Sequence, residues 1–325
     1  MRSITPIDQA MLDKIYELGY RKVVPEDQEL FIPFYDRMNH PWSAATAFLN
    51  LIAWGDTLPV YFKIEDDIII EICYESNEGI LVGTPFIGHY ESAAFKKVFT
   101  ILKNDFEAIG VPLIIMDVVP WMLPFYEAEA GFEVEDLREY QEYIYTADAF
   151  EKGMNKQDDR YRYRYFLRKF NSEVSEITAD DKEEINAFMK KVWCGEKDCE
   201  ECQFGCLLDV TGRVLDSFDK LRTRGIKVRV DGELAGFCIA TRHNEQGVYQ
   251  FKHAKNRMKG INEYLLRETY ERFFKGVDII NYSEDCGIEG LRKYKMNLCE
   301  EYSLLSRLTL REKNNGEQDR CRRKI

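Results

Sequence analysis

Between residues 59 and 310 the sequence passes twice through one series of patterns: hairpin, strand, helix, strand, helix, strand. The first hairpin occupies residues 59–74 and turns at Asp66 and Asp67, and the second occupies residues 226–242 and turns at Asp231 and Gly232. Short apolar or alternating runs bounded by turn residues predict strands, and apolar residues three and four apart predict helices. A series that recurs in this way predicts two similar α/β domains.

The remaining elements continue each series in the same order. We predict further strands at 80–84, 112–118, 140–145, 248–253, 277–282 and 302–310, and helices at 91–109, around 125–126, at 261–274 and at 289–296. The fold class is therefore α/β, in the mixed α+β sense. We predict domains at residues 1–150 and 151–310 that join near 148–158, followed by a polar tail at 311–325.

Composition limits the function classes that fit this chain. With 325 residues, 45% of them apolar, it can bury two cores, and its net charge of −12 argues against general coating of nucleic acid or anionic lipid. The amino terminus does not resemble a signal peptide, and no apolar run approaches the ~20 residues of a membrane span. Nine cysteines in such a chain predict reduced thiols and a cytoplasmic location.

The turn at residues 255–262 is the clearest candidate for an anion site. It carries Lys255, Arg257 and Lys259, then Gly260 and Asn262, directly before an amphipathic helix. A glycine lets the backbone pass close to a ligand, and a helix start offers unpaired N–H groups to a phosphate. We predict that these residues hold the phosphate of an acyl donor, although a plain strand-to-helix turn has the same spacing. Residues 83–88 of the first domain carry glycines but no cation.

A second basic segment lies at residues 160–169, with five cations, four aromatic residues and no acid. If it is extended, Arg160, Arg162 and Arg164 share one face and the tyrosines the other. If it is helical, Arg160, Arg164 and Arg168 form one stripe at spacings of four residues. Such a stripe suits phosphates or an RNA backbone, with aromatic rings available for stacking. The alternative is a solvated face paired with acids elsewhere in the chain.

Four cysteines at residues 194, 199, 202 and 206 lie within thirteen positions. Four thiols could bind zinc or an iron–sulfur cluster. The spacing fits no zinc knuckle, however, and Cys199, Cys202 and Cys206 also share one face of a helix, where cysteine behaves as a small apolar residue. We therefore expect no metal, and we keep Cys194, Cys199, Cys202 and Cys206 as an alternative cluster.

Acyl transfer to an amine needs a base and groups that hold the developing oxyanion. Glu284 and Asp285 follow a predicted buried strand, and either is a candidate base. His253 is a third catalytic candidate, although a buried core histidine is an equal alternative. Arg292 and Lys293 are candidates for binding a substrate carboxylate or phosphate. Tyr282 and Tyr294 are candidate acids.

The element order of each half resembles the GNAT acyltransferase fold, a mixed and mostly antiparallel sheet flanked by helices. The stretch 257–262 is similar to the pyrophosphate loop of that fold, usually Gln/Arg-x-x-Gly-x-Gly/Ala, from which Asn262 departs. Residues 126–132 resemble its Tyr-x-x-x-x-Gly-Phe ending. Residues 138–145, 253–255 and 280–293 resemble a bacterial family of tandem GNAT-like proteins related to the aminoacyltransferase domain of phosphatidylglycerol lysyltransferases.

This resemblance implies an acyltransferase or aminoacyltransferase that acts by direct attack. The donor would be acyl-CoA, which the 255–262 turn favours, or aminoacyl-tRNA, which the family favours. The acceptor would be an amine or hydroxyl of a small molecule, a lipid-like compound or a peptide, and tRNA is a possible partner. The alternatives are a ligand-binding module that has lost the chemistry and a metal or redox protein built on the cysteines. The sequence leaves the oligomeric state open.

Overall fold

The computed structural model describes residues 5–38, 41–195, 206–255 and 257–313. Its strands are β1 Arg21–Lys22, β2 Val60–Glu65, β3 Ile68–Glu75, β4 Ile80–Gly83, β5 Ile87–Gly88, β6 Ile114–Val118, β7 Phe132–Asp136, β8 Glu142–Thr146, β9 Ser172–Glu176, β10 Thr223–Val230, β11 Glu233–His243, β12 Gln246–Ala254, β13 Ile279–Glu284, β14 Ser303–Leu305 and β15 Leu308–Glu312. Its α-helices are α1 Gln9–Glu17, α2 Gln28–Tyr35, α3 Phe48–Ala53, α4 Ser92–Ile109, α5 Leu123–Glu127, α6 Ala147–Met154, α7 Gln157–Lys169, α8 Lys182–Phe188, α9 Leu207–Asp216, α10 Ile261–Thr269 and α11 Glu289–Leu298. None of these helices has the combination of length and hydrophobicity that a membrane crossing requires.

Both predicted hairpins are confirmed. Strand β2 pairs antiparallel with β3, and β10 pairs antiparallel with β11. The turn residues Asp66, Asp67, Asp231 and Gly232 have φ values of 49°, 61°, 52° and 83°. Two consecutive residues with positive φ form the turn whose twist suits a two-residue hairpin, and Asp and Gly tolerate that conformation best.

The strands form two sheets with one topology. The first sheet has the order β1-β2-β3-β4-β6-β15-β7, with β5 paired to β3, and the second has the order β9-β10-β11-β12-β13-β8-β14. In each sheet one pair is parallel, β4 with β6 and β12 with β13, and the other pairs are antiparallel. The predicted repeat of one architecture is therefore confirmed, with helices α4 and α10 in corresponding positions between the parallel strands.

The two halves exchange one strand each. Strand β8 follows the first half in the chain but lies between β13 and β14 of the second sheet. Strand β15 ends the second half but lies between β6 and β7 of the first sheet. The prediction of one closing strand at 302–310 is wrong, because the chain crosses between sheets at residues 306–307. The predicted domain boundary at residue 150 does not follow the sheets, because local patterns do not reveal strand exchange.

Two cores lie beneath the sheets. The core of the first sheet includes Phe31, Phe95 and Leu310, and the core of the second includes Phe150 and Phe274. Leu310, near the end of the described chain, is fully buried in the first core. The stretch 148–158, which the sequence predicts as a junction, contains most of α6 and the start of α7. Helices therefore connect the two halves, and each half completes the other.

Candidate active site

The parallel strands of the second sheet separate near their carboxyl ends. Gln246, Gly247 and Val248 of β12 pair with β13, and the later residues of β12 do not. The pairing of β12 with β11 also shifts register near residue 240 of β11. A bulge of this kind bends the strand away from its neighbour. We call this opening the strand fork and define it by Lys252, Asn262, Tyr282 and Tyr294.

Lys252 is the central side chain of the strand fork. Its Nζ donates to Asn262 Oδ1 and to Tyr294 Oη, each at 3.3 Å. The same ammonium lies 4.9 Å from the centre of the Tyr294 ring and 5.8 Å from that of Tyr282. Burial raises the pKa of Tyr282 well above its ordinary value, so its hydroxyl stays protonated. The fork therefore presents a cation and hydroxyl donors, which are groups that can hold an oxyanion.

Lys295 of α11 fixes the end of β13. Its buried Nζ donates to the backbone carbonyls of Tyr282, Ser283 and Glu284, at 3.1 Å for Ser283 and 2.6 Å for Glu284. Burial lowers the pKa of Lys295 to about 8. Ser283 has a φ of 55°, and the carbonyls that converge on Lys295 hold this uncommon conformation. The side chain of Glu284 is thereby placed where β13 leaves the sheet.

Glu284 keeps a carboxylate that is only loosely held. Its side chain is 26% exposed, and its Oε2 lies 3.8 Å from a guanidinium nitrogen of Arg307. The Sγ of Cys286 donates to Oε1 at 3.6 Å, and burial raises the pKa of that thiol to about 12. Because neither of these contacts is a short charged hydrogen bond, the Glu284 carboxylate can accept a proton from a substrate.

Arg307 lies in the crossing between β14 and β15 and contacts acids of both sheets. Its side chain bonds Asp117 at 2.6 Å and lies 4.0 Å from Glu142 and 3.8 Å from Glu284. Burial alone would lower the pKa of Arg307, but Asp117, Glu284 and Glu142 together raise it. This cation, whose side chain is mostly buried, therefore ties together the exchanged strand β8, the end of β6 and the end of β13.

Glu142 is fully buried beside this cation. Its carboxylate accepts from Ser43 Oγ at 2.7 Å, from the Ala44 backbone N–H at 2.9 Å and from Asn281 Nδ2 at 2.6 Å. Burial raises the pKa of Glu142, and the nearby Glu284 adds to that rise, whereas Arg307 opposes it. With three donors and no exposed surface, Glu142 supports the site and does not reach a substrate.

Asp285, the second predicted base, is also fully buried. It accepts from Arg292 at 2.9 and 3.0 Å, from Tyr143 at 2.8 Å, from Arg138 at 3.2 Å and from the Gly287 N–H at 2.9 Å. Burial by itself would raise the pKa of Asp285, but these hydrogen bonds, led by that of Arg292, lower it to about 2. Asp285 is a weak base with every lone pair in use, and it orders the loop after β13.

His253 lies next to Lys252 in β12, on the opposite face of the sheet, because side chains alternate along a strand. Its ring packs 4.8 Å from Trp193 and 5.4 Å from Phe237. Burial, with a smaller contribution from Lys252, lowers the pKa of His253 to about 4. Its Nδ1 has no hydrogen-bond partner in the described part of the chain. These surroundings match the core-histidine alternative.

The predicted anion turn lies against helix α7. Gly260 has a φ of 93°, and a Cβ added there would lie 2.2 Å from the Arg162 carbonyl oxygen. Residue 260 must therefore be glycine because its backbone lies close to that of α7. Lys259 lies 4.9 and 5.2 Å from the rings of Tyr161 and Tyr165. The prediction that an anion contacts the amides of residues 259–262 stays a prediction.

Two further cations of this turn differ in their environment. Lys255 pairs with Glu233 at 3.2 Å, whereas Arg257 is exposed. Asn262 takes part in the strand fork through Lys252. The structure therefore brings Lys255, Lys259 and Asn262 to one corner, with Arg257 at its surface.

Helix α7 carries the second basic segment, and the predicted helical stripe is found there. Arg160, Arg164 and Arg168 are exposed and four residues apart on one face. Among the described residues none of the three forms an ion pair, whereas Arg162 on another face pairs with Glu263 at 3.1 Å. Together with Lys259 and the rings beneath it, the stripe forms an exposed cationic and aromatic surface, which we call the α7 surface.

The other predicted binding residues lie on α11. Arg292 is committed to Asp285, and Lys293 is exposed and pairs with Glu289 at 2.5 Å. Of the cysteine cluster, Cys194 ends a π-helical turn and Cys206 precedes α9, while Cys199 and Cys202 lie outside the described residues. No group of metal-binding side chains occurs among the residues that are described.

Sequence reasoning missed four residues of the site. Lys252 has a sequence signal, since it alternates with buried residues in β12. Lys295 also has a sequence signal, since it lies on the face of the amphipathic helix α11 that is turned toward the protein core. Glu142 and Arg307 have no local signal, because their role depends on the exchange of β8 and β15.

Comparisons with known proteins agree with this architecture. The family described as phosphatidylglycerol lysyltransferase, C-terminal, matches residues 40–297. No curated protein matches. Among solved structures, a conserved protein of unknown function from Bacteroides thetaiotaomicron is similar, with a TM-score of 0.81 and 21% identity over 91% of this chain and 99% of that one.

Two further structures share the fold at lower identity. The structure of L-PGS from Bacillus licheniformis has a TM-score of 0.62 and 14% identity, covering 90% of this chain and 93% of that one. A tandem GNAT protein from the clavulanic acid biosynthesis pathway has a TM-score of 0.50 and 10% identity, covering 92% of this chain and 99% of that one. The expected tandem GNAT-like fold is thereby confirmed.

Proposed function

Because this chain belongs to the family of phosphatidylglycerol lysyltransferase C-terminal domains, we propose that it transfers an aminoacyl group from aminoacyl-tRNA to an amine or hydroxyl acceptor. The acceptor belongs to a small molecule, a lipid-like compound or a peptide. The observation that carries the choice of donor is the α7 surface. It presents three arginines that form no ion pair with the described residues, with the exposed ring of Tyr161 and the partly buried ring of Tyr165, beside the turn that leads to the strand fork.

A continuous path joins that surface to the fork. The backbone of α7 touches Gly260, two residues later Asn262 accepts from Lys252, and Lys252 contacts Tyr294. Cations that contact phosphates position an RNA, and aromatic rings stack on unpaired bases such as those at the end of a tRNA. The α7 surface would hold the acceptor stem while the aminoacyl ester enters the fork. The net charge of −12 limits RNA contact to this small surface.

The chemistry in the fork is a direct attack. Glu284 accepts the proton of the acceptor amine or hydroxyl as its nitrogen or oxygen bonds to the ester carbonyl carbon. The ammonium of Lys252 stabilises the oxyanion that forms. Tyr294 gives a proton to the ribose oxygen as the ester bond breaks. Asp285 and Arg292 position the loop that carries Glu284, and His253 packs the opposite face.

Binding of RNA tests the donor. Replacing the three stripe residues (Arg160→Gln, Arg164→Gln and Arg168→Gln) should weaken tRNA binding and reduce the slope of log K against log salt by about 2 to 3, since each phosphate contact contributes ~0.7–0.9. Fluorescence anisotropy over a salt series measures both quantities. The matched control replaces three exposed lysines of α4 (Lys96, Lys97 and Lys103) by glutamine and should leave both unchanged.

A thermal-shift comparison distinguishes the two donors and tests whether the chain binds a donor without transferring its acyl group. A donor present at ~100 times its Kd should stabilise the chain by ~2.7 kcal/mol. A shift with acetyl-CoA that Arg257→Ala with Lys255→Ala removes, and no shift with charged tRNA, would favour the acyl-CoA donor. Binding of charged tRNA without transfer to any offered amine would favour a binding module.

A further inference from the structure

A pocket lies at the carboxyl end of α10, away from the strand fork. It has a volume of about 250 Å³, and its lining includes Arg222, Arg224, Arg242, Arg272, Phe273 and Lys275. Five of these residues are cations. The helical residues 261–274 run from the fork to the pocket, and Ala240 in the pocket lining pairs with Tyr249, three residues before Lys252 in β12. Nothing in the proposed transfer uses this pocket.

Two of the arginines are held in place by the pocket itself. The guanidinium of Arg224 lies 4.3 Å from the centre of the Phe273 ring and also pairs with Glu176 at 2.7 Å. Arg242 donates to the carbonyls of Lys275 at 2.9 Å and of Gly276 at 3.3 Å. Those carbonyls form the negative end of the helix, so Arg242 offsets the partial charge that would repel an anion. Guanidinium groups held in this way lose little freedom when they bind a ligand.

The acids that pair with the other cations lie at the rim. Arg222 pairs with Glu29 at 2.5 Å, Lys275 pairs with Glu271 at 2.6 Å, and Arg272 pairs with Glu268 at 3.4 Å. The first pair is well exposed, with side chains 61% and 65% accessible. Exposed ion pairs contribute little stability and exchange readily for another anion. A ligand with several negative charges can therefore replace the rim carboxylates.

We propose that this pocket binds a compact polyanion of the pyrophosphate type. Its volume lies just below the range of about 300–1,000 Å³ that encloses whole small-molecule ligands, so it fits an anionic group better than a complete cofactor. Arginine forks match phosphate oxygens in pairs, and a lining with four arginines and a lysine favours two linked phosphates over one. Glu29 belongs to α2 of the first half, so the ligand would compete with a contact between the two halves.

Calorimetry with the full chain and inorganic pyrophosphate tests this proposal. We expect one site at low ionic strength, with weaker binding of inorganic phosphate. Arg272→Gln together with Lys275→Gln should weaken pyrophosphate binding about tenfold or more. Both residues are partly exposed and pair within their own helix, so the variant should fold. The matched control, Lys97→Gln with Lys103→Gln on α4, should bind like the wild type.

A second variant, which should change the affinity for pyrophosphate in the opposite direction, extends the test. Glu29→Gln releases Arg222 and should tighten pyrophosphate binding two- to fivefold, about the effect of one exposed ion pair. The proposal is overturned if the wild type binds no pyrophosphate, if the Arg272/Lys275 variant binds it equally well, or if Glu29→Gln weakens binding. The α7 variant described above should bind pyrophosphate normally. If that variant lost pyrophosphate binding, the anion would bind at the α7 surface, and the proposal would be wrong.

Discussion

The two sheets share one strand order, yet the openings between their parallel strands differ in chemistry. In the first sheet, β4 and β6 pair only at Gly83 and Ile115, and a Cβ added at Gly83 would lie 3.4 Å from Leu102. Beside that opening, Thr84 donates to the buried Glu71. In the second sheet, Lys252 and Tyr294 occupy the corresponding opening. In both halves the topology separates the two parallel strands. The side chains that line each opening then determine whether it can act as an active site.

The same contrast appears in the carboxylates of the two sheets. Glu71 of the first sheet is fully buried, accepts from Thr84 Oγ1 at 2.9 Å, and has a pKa that burial raises to about 8. Glu284 of the second sheet is partly exposed and only loosely held. A carboxyl that stays neutral contributes to the fold, whereas an exposed carboxylate can take a proton. This difference predicts that only the second half is catalytic.

The largest expected effect comes from removing the carboxylate of the second half. Glu284→Gln should lower the rate of aminoacyl transfer by about 10²–10⁴-fold, the usual contribution of a general base. Single-turnover assays measure the rate, and anisotropy should show unchanged tRNA binding. Glu71→Gln is the matched change in the first half and should leave the rate nearly unchanged. Equal losses in the two variants would contradict the division of roles.

The next effect concerns the cation that ties the halves together. Arg307→Met leaves Glu142 and Asp117 without their shared partner and should lower the free energy of unfolding by about 3–5 kcal/mol. Urea denaturation measures this loss. Arg311→Met, whose pair with Glu135 is 3.8 Å long and partly exposed, should cost less than ~1 kcal/mol. Similar losses for both would show that Arg307 is an ordinary surface cation.

Strand exchange predicts that neither half unfolds alone. Leu310→Ala removes a fully buried side chain from the first sheet and should cost about 2–5 kcal/mol, in a single transition that also unfolds the second sheet. Differential scanning calorimetry and near-ultraviolet circular dichroism follow this change. Leu304→Ala on the exposed side of β14 is the control. Two separate transitions would show that the halves are independent.

The last effect is gradual, a dependence of the stability of the chain on pH that arises from Glu71 of the first sheet. The pKa of Glu71 is about 8 in the fold, above the value of ~4.3 in the unfolded chain. Between these values the folded chain holds one more proton, so stability falls as pH rises, by at most ~1.4 kcal/mol per pH unit. Glu71→Gln cannot ionise and should lose less stability from pH 5 to 8. If the urea midpoints of the wild type and of Glu71→Gln changed in the same way from pH 5 to 8, the pKa of Glu71 would not be raised in the fold.

Much of the fold follows from local patterns. The helix at 91–109 is found as α4 at Ser92–Ile109, and Gly110 closes it with a φ of 88°. The two hairpins and their turns are also as predicted. These features depend on residues close in sequence, whose spacing and backbone preferences are visible in the letters themselves. The α7 stripe belongs to the same class, because its three arginines are four residues apart.

Within the candidate site, the sequence distinguishes residue types but not their partners. It offers Glu284 and Asp285 equally as bases, and only the structure buries Asp285 under Arg292 and Tyr143. It points to Gly260 for a ligand, and the structure brings α7 against that glycine. Burial and long-range contacts set these outcomes, and neither has a local signature.

By itself, therefore, the sequence determined the repeated architecture, the hairpins, the helices α4, α5, α10 and α11 and the positions of the basic segments. The exchange of β8 and β15, the burial of Arg307 between acids of both sheets and the opening at Lys252 were decided by tertiary structure. The reason is physical. Periodicity and turn chemistry act over a few residues, whereas strand exchange and the pairing of buried charges bring together residues more than a hundred positions apart.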